Sequence, residues 1–420
     1  MKIVQLQYES SSAGKQALRL HDAFLKNGID ARLLSLKCEV TGDERVEHLG
    51  RNQKLVARLD EKLQGFVKRK SDKSLGLFSY PILGTDVSKY KAVQEADVIY
   101  LHWVLHGFLN LKGIEDLAKL NKPVVVFMHD MWTITGGCHY SFDCKKYRSG
   151  CGACPIFGGN DENDLSAVEF RKKMKLFSKY DNFFFVSPSE WLSDCARDSL
   201  LTRNKPVFHI PNIVDTTIYK PFEKNIAKRI LNIDEDQTVI SFGAVILNSP
   251  YKGSEYLVQA LNNLAGDKGL DIDKVTVVVF GTGYNKEMDD MIPFKTRFMG
   301  YMKDEYSMNV IYNATDVFVA PSLAETFGLV ILEALCCGTP VVGFNVGGIP
   351  DLIDHKINGY LANYKDADDL AEGIRFCITQ KTKGRMLPQF ATDLSVNKHL
   401  ELFSYMKSLE NLNYEYAGAI

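Results

Sequence analysis

The chain has 420 residues, enough for two or three domains of about 150 residues with real cores. Hydrophobic residues make up 45% and charged residues 24%, a soluble globular balance, and Lys+Arg 50 against Asp+Glu 52 leaves a net charge of -2 with no basic footprint for nucleic acid. No apolar segment approaches the ~20 residues that span a bilayer, and the chain opens on a strand without a charged leader, so a cytoplasmic protein is expected, its cysteines reduced or metal-bound.

Strands and helices alternate from the start. Apolar runs predict a strand over 3–6, a helix over 17–26 and a strand over 31–36, which is the pattern of a parallel α/β sheet. The small-residue turn Ser10-Ser11-Ser12-Ala13-Gly14-Lys15 joins the first pair but lacks the spacing of a Walker A loop. Over 51–73, Leu55, Leu59, Leu63 and Phe66 recur at helical spacing among Lys54, Arg58, Lys62, Lys68, Arg69 and Lys70. This reads either as a helix packing its leucines on its own domain or as one lying on anionic lipid. The run 97–103 is a buried strand ending in His102 and Trp103, and 123–130 is another, ending in His129 and Asp130. Polar groups at the carboxyl end of a parallel strand face the ligand crevice, whereas a core histidine bonded to a carbonyl is the plain alternative for His102 and His106.

A Gly-rich stretch follows in which Cys138, Cys144, Cys151 and Cys154 supply four thiols, the last two as Cys-x-x-Cys. Four thiolates would suit tetrahedral zinc and would order a loop with little core of its own; disulfides or free thiols are the alternatives. Strands are then expected over 182–188, 207–211, 239–245, 275–281 and 297–301, with helices over 304–313, 367–379 and 396–412.

The densest signal spans 316–354, D-V-F-V-A-P-S-L-A-E-T-F-G-L-V-I-L-E-A-L-C-C-G-T-P-V-V-G-F-N-V-G-G-I-P-D-L-I-D. It predicts a strand, a turn at Ala324-Glu325-Thr326, a helix opening at Phe327-Gly328 and a second strand from Pro340. The amides that open the helix, from Gly328 through Leu329, suit a diphosphate. Glu333, a carboxylate among leucines, needs hydroxyl or cationic partners. Together these imply a nucleotide-sugar site.

This stretch resembles the retaining glycosyltransferases of family 4, whose fold is GT-B: two Rossmann-like domains facing across a cleft, with a C-terminal helix packing back on the N-terminal domain. One departure is that Ile349-Pro350-Asp351 follows the glycine pair where the family often has Pro-Glu. The resemblance implies that Glu325 touches the donor sugar, that Glu333 holds the ribose, and that Thr326, Phe327, Gly328 and Leu329 border the diphosphate. It also assigns Lys252, in Lys252-Gly253, to the leaving diphosphate, where a fixed cation would stabilise developing charge. The Arg that often accompanies this Lys in the family is missing, since Ala244 follows Gly243. By the same resemblance Gly14, Gly243, Gly281 and Tyr301 line the nucleotide-sugar site, and His129 hydrogen-bonds the donor sugar.

The expected organisation is an N-terminal acceptor domain over 1–208 with a cysteine-rich insertion at 136–155, and a linker over 209–222. A donor domain over 223–393 follows, and then a returning helix over 394–420. The expected activity is transfer of a sugar from a UDP- or GDP-sugar to a glycan or lipid-linked acceptor in polysaccharide (capsule or surface glycan) biosynthesis, with no catalytic divalent metal. Peripheral contact with the cytoplasmic membrane face would run through 51–73. A GT-B phosphorylase, an epimerase and a non-catalytic scaffold are the alternatives.

Overall fold

Short β-branched and aromatic runs, buried on both faces, pair into two wholly parallel sheets, as such runs do when crossover helices cover both sides. A computed structural model describes residues 1–10, 14–37, 42–67, 71–266 and 270–417; Ser11, Ser12, Ala13, Lys68, Arg69 and Lys70 lie outside the described residues. The chain divides into one compact unit of Met1–Ile213 with Thr392–Ile420 and a second of Val214–Ala391.

The first unit holds β1 (Lys2–Glu9), β2 (Asp30–Lys37), β3 (Val46–His48), β4 (Val98–Leu101), β5 (Val124–Phe127), β6 (Phe183–Ser187) and β7 (Val207–His209), in the order β3-β2-β1-β4-β5-β6-β7. The strand order reverses between β1 and β4, where Ile3 pairs with Val98 and Leu6 with Leu101. Edge strand β3, only three residues long, carries too short a run to be read from sequence. The helix Thr392–Ala417 belongs to this unit, as the resemblance implied. It lays His399 and Phe403 against Phe24, with ring centroids 5.4 and 5.7 Å apart, and His399 shares a 2.9 Å hydrogen bond with the Tyr100 hydroxyl.

The second unit holds β8 (Thr238–Ile246), β9 (Val275–Thr282), β10 (Lys295–Phe298), β11 (Val317–Ala320), β12 (Val341–Phe344) and β13 (Gly359–Ala362), ordered β10-β9-β8-β11-β12-β13. Its strand order reverses between β8 and β11. In sheets of this kind ligands settle outside the carboxyl ends at that reversal.

The helix Arg51–Val67 departs from its hydrophobic pattern. Its buried residues are Ala57, Asp60 and Gln64, while Leu55, Leu59, Leu63 and Phe66 are exposed. Packing of the leucines on their own domain is therefore corrected. The cause is polar: Asp60 Oδ1 accepts the amides of Ile82 and Leu83, each at 2.8 Å, its Oδ2 accepts Gln64 Nε2 at 2.5 Å, and the Gln64 carbonyl accepts the Tyr80 hydroxyl at 3.1 Å. Hydrogen bonds to a charged group contribute about 1.5–3 kcal/mol each, and all three are lost if the helix turns its leucines inward.

Histidines held neutral by their surroundings make this unit sensitive to acid, and His102, His129 and His399 show it most strongly. Burial holds His129 down at about 4 and His399 at about 3, and burial together with His129 keeps His102 well below its ordinary value. All three are neutral in the folded chain at pH 7, whereas unfolding frees them to bind protons near 6.5. Their stability contribution is thus complete above about pH 6.5 and is lost as pH falls toward 4. The melting temperature is expected to fall steeply between pH 6.5 and 4 in thermal scans, and His399→Gln to flatten that fall.

Candidate active site

The loops after β8 and β11 stand on either side of the strand-order reversal. After β8 the chain runs to Gly253, whose left-handed backbone (φ 63) caps the helix Ser254–Ala265. A Cβ there would lie 1.9 Å from the Pro321 carbonyl oxygen, so the two loops can meet only over glycine. The Tyr251 carbonyl accepts the Leu323 amide at 2.8 Å and completes the seam. This contact brings Lys252 Nζ to 2.8 Å from Glu325 Oε2, with both side chains largely buried. Burial pushes the Lys252 ammonium down, but the Glu325 carboxylate outweighs it and the net shift is upward, so Lys252 is charged at neutral pH.

The Glu325 turn is held from behind by the glycine pair. Its carbonyl accepts the Gly348 amide at 3.0 Å, and a Cβ on Gly347 would come within 2.0 Å of that same oxygen. Thr326 and Phe327 are buried, and Phe327 packs on Phe390 at 5.8 Å, which leaves its backbone as the part able to meet a ligand. Gly328, left-handed at φ 101, opens the helix Leu329–Cys336. The Ile331 and Leu332 amides turn back to the Gly328 carbonyl at 2.9 and 3.1 Å, which leaves the Leu329 and Val330 amides without a partner in the helix, and its positive end favours an anion.

Glu333 lies buried one helix turn further on. Its Oε2 accepts the Tyr312 hydroxyl at 3.3 Å. Burial and the neighbouring carboxylate push the Tyr312 hydroxyl well above its usual range, which keeps it a donor. Tyr312, on the helix Glu305–Ala314, is a site residue that the sequence reading missed; nothing local to it signals a carboxylate partner. Of the remaining expected residues, Gly243 lies within β8, where a Cβ would strike the Phe280 ring at 2.0 Å, and the Gly281 amide donates to the Gly300 carbonyl at 2.9 Å, beside Tyr301.

Gly14 and His129 fall in the first unit. A Cβ on Gly14 would lie 1.5 Å from the Glu9 carbonyl oxygen, so Gly14 packs its backbone directly on the strand end. His129, just beyond β5, meets His102 Nδ1 through its Nε2 at 3.0 Å, and His102 Nε2 meets Gln5 Oε1 at 2.9 Å. Asp130 is bound by His139 at 2.6 Å, by the Trp132 amide at 2.7 Å and by the Trp103 indole at 3.2 Å. Burial raises the Asp130 carboxyl, but His139 and the donors around it prevail and leave it below its usual value. His139 in turn meets Ser79 Oγ at 2.9 Å. Ser79, His139 and Asp130 thus align as in a hydrolase, yet Ser79 is 1% exposed and His139 4%, so the trio works as a staple.

The staple explains the correction to the cysteine loop. Cys138, Cys144, Cys151 and Cys154 are free thiols, and among the described residues no group of three or more His, Cys, Asp or Glu is placed to hold a metal ion. The expected structural zinc is not supported. Burial pushes the Cys138 and Cys151 thiols up to about 12 and raises Cys154 as well. Other contacts order the loop: Lys146 Nζ binds the Gly152 and Ala153 carbonyls at 2.9 and 3.1 Å, and Asp164 accepts the Cys154 amide at 2.6 Å. The loop also has a small core of its own, built on Phe78, Tyr80 and Ile156.

Two parallel α/β units built in this way define a GT-B fold, and solved structures agree. A sucrose-phosphate synthase from Thermosynechococcus elongatus superposes at TM-score 0.62 and 15% identity over 98% of this chain and 100% of that one. The Anabaena protein HepE in complex with UDP-glucose superposes at 0.59 and 19% identity, covering 97% and 100%. Residues 236–380, all within the second unit, match the family model described as "Glycosyl transferases group 1". Over 317 residues the chain is 24% identical to an uncharacterised glycosyltransferase of Methanocaldococcus jannaschii, covering 70% of this chain and 78% of that protein. Over 212 residues it is 31% identical to a D-inositol 3-phosphate glycosyltransferase of Saccharomonospora viridis, 47% of each chain, so it spans about half the length of that enzyme.

Because Gly253 is fixed by a backbone contact and a positive φ, Gly253→Ala is expected to lower the unfolding free energy by about 2 kcal/mol or more in urea titrations. Gly65→Ala, at an open helix position with no atom near its Cβ, should instead raise it by about 0.5–1 kcal/mol.

Proposed function

We propose that the chain is a retaining glycosyltransferase that moves a sugar from a nucleotide-diphosphate sugar, UDP- or GDP-linked, to a glycan or lipid-linked acceptor in polysaccharide assembly. The observation that carries this reading is the 2.8 Å pair of Lys252 and Glu325 beside the open start of the helix Leu329–Cys336, within residues matching the group 1 family.

When the glycosidic bond to the diphosphate breaks, negative charge gathers on the leaving phosphate. Lys252 and the first helix amides are the groups that would stabilise it, and being held in place they pay little reorganisation. Glu325 both keeps Lys252 charged and offers its second oxygen to sugar hydroxyls, while Glu333, steadied by Tyr312, would take the ribose hydroxyls. Gly243, Gly281 and Tyr301 would border the nucleotide. His129, neutral at physiological pH, is assigned to a hydrogen bond with the donor sugar. No side chain here is cast as a nucleophile: departure and attack on one face, with the leaving oxygen helping to take the acceptor proton, would retain the configuration. Positioning and charge then carry the rate.

Binding comes first in the test. A UDP- or GDP-sugar should raise the melting temperature by mass action, and Glu333→Ala should cost about tenfold or more in nucleotide affinity by calorimetry, the loss of a hydrogen-bonded charged group. Lys252→Met should lower turnover about 10²–10³-fold while nucleoside affinity changes little. Unchanged affinity in the Glu333 variant would overturn the ribose assignment. Sugar phosphate as the product, in place of a glycoside, would point to a phosphorylase.

A further inference from the structure

The helix Arg51–Val67 carries its charge and its apolar surface on separate arcs. At about 100° per residue, Leu55, Leu59, Leu63 and Phe66 share one arc, and Arg51, Lys54, Arg58 and Lys62 fill the arc beside it. The four apolar side chains are 56%, 46%, 45% and 68% exposed, an unusual display for large hydrophobics in one row. Of the two acids of the helix only Asp60 is buried; Glu61 is exposed at the far edge of the cationic arc and is tied to its own domain. Asp60 is buried on the amides of Ile82 and Leu83, and Glu61 takes the Tyr8 hydroxyl at 3.0 Å and lies 3.7 Å from His106. The outward surface is therefore apolar and cationic together.

We propose that this face docks on an anionic lipid surface, the leucines entering the boundary between headgroups and acyl chains while the four cations meet lipid phosphates. Charge complementarity selects this occupant. A second copy would bring two cationic flanks together, whereas a bilayer accepts the apolar row and the basic row at once. The polar seam at Asp60 and Gln64 fixes the helix to its domain with the leucines outward, so the surface is formed before the membrane is met. This docking is independent of the sugar-transfer reading, since none of its residues belongs to the candidate active site.

The test is co-sedimentation of the full chain with vesicles of phosphatidylcholine alone and of phosphatidylcholine with one-third phosphatidylglycerol. Wild-type protein should bind the anionic vesicles at least about tenfold more tightly and be released by salt. Leu55→Ser/Leu59→Ser/Leu63→Ser should weaken binding at least about tenfold, and Arg51→Gln/Lys54→Gln/Arg58→Gln/Lys62→Gln about a hundredfold or more, both with unchanged melting temperatures because these side chains are exposed. Wild-type binding no greater with phosphatidylglycerol, or either variant binding like wild type, would overturn the proposal. So would wild-type self-association in ultracentrifugation that the serine variant abolishes, without vesicle binding.

Discussion

Lys252 and Glu325 come from loops 73 residues apart in the chain and meet 2.8 Å apart at the carboxyl end of a parallel sheet. Two charges so nearly enclosed are costly singly, and removing one partner of such a pair typically costs 3–5 kcal/mol. The glycines around them follow from that meeting. Gly253 lets the β8 loop touch the β11 loop, and Gly347 lets the segment after β12 close behind Glu325. What stands in the sequence as scattered glycines is, in space, clearance for backbone to approach backbone. The open helix start beside the pair brings fixed positive charge, backbone amides and a carboxylate together.

The first unit solves a different problem. Its strand ends carry His102, His129 and Asp130, polar groups that must be satisfied in a setting with little water. Gln5 and His102 anchor His129, and His139, Trp103 and Trp132 anchor Asp130. Because His139 sits in the loop that also bears the four cysteines, that loop acts as a brace for the β5 end. Lys173 adds a second brace: its ammonium lies 3.6 Å from the Trp132 ring centroid and donates to the Trp132 and Thr135 carbonyls, and burial pushes it down to about 7. Order in this Gly-rich segment thus comes from hydrogen bonds and a small aromatic core.

In both units a buried carboxylate decides orientation more firmly than apolar periodicity does. Asp60 turns its helix so that leucines face water, and Glu333 is tolerated among leucines because Tyr312 reaches it.

The alternation of short apolar runs with 3.6-period segments determined two parallel α/β sheets, and the string from Asp316 to Asp354 determined where the helix Leu329–Cys336 would start, since strand, turn and helix signals are written in neighbouring residues. The pairing of Lys252 with Glu325, the partner of Glu333, the free state of the four thiols and the outward turn of the leucine row were decided only by tertiary structure. Each of these depends on which distant backbone amide, hydroxyl or carboxylate comes within 3 Å or so of a buried polar atom, and the spacing of residues along a chain carries no measure of that distance.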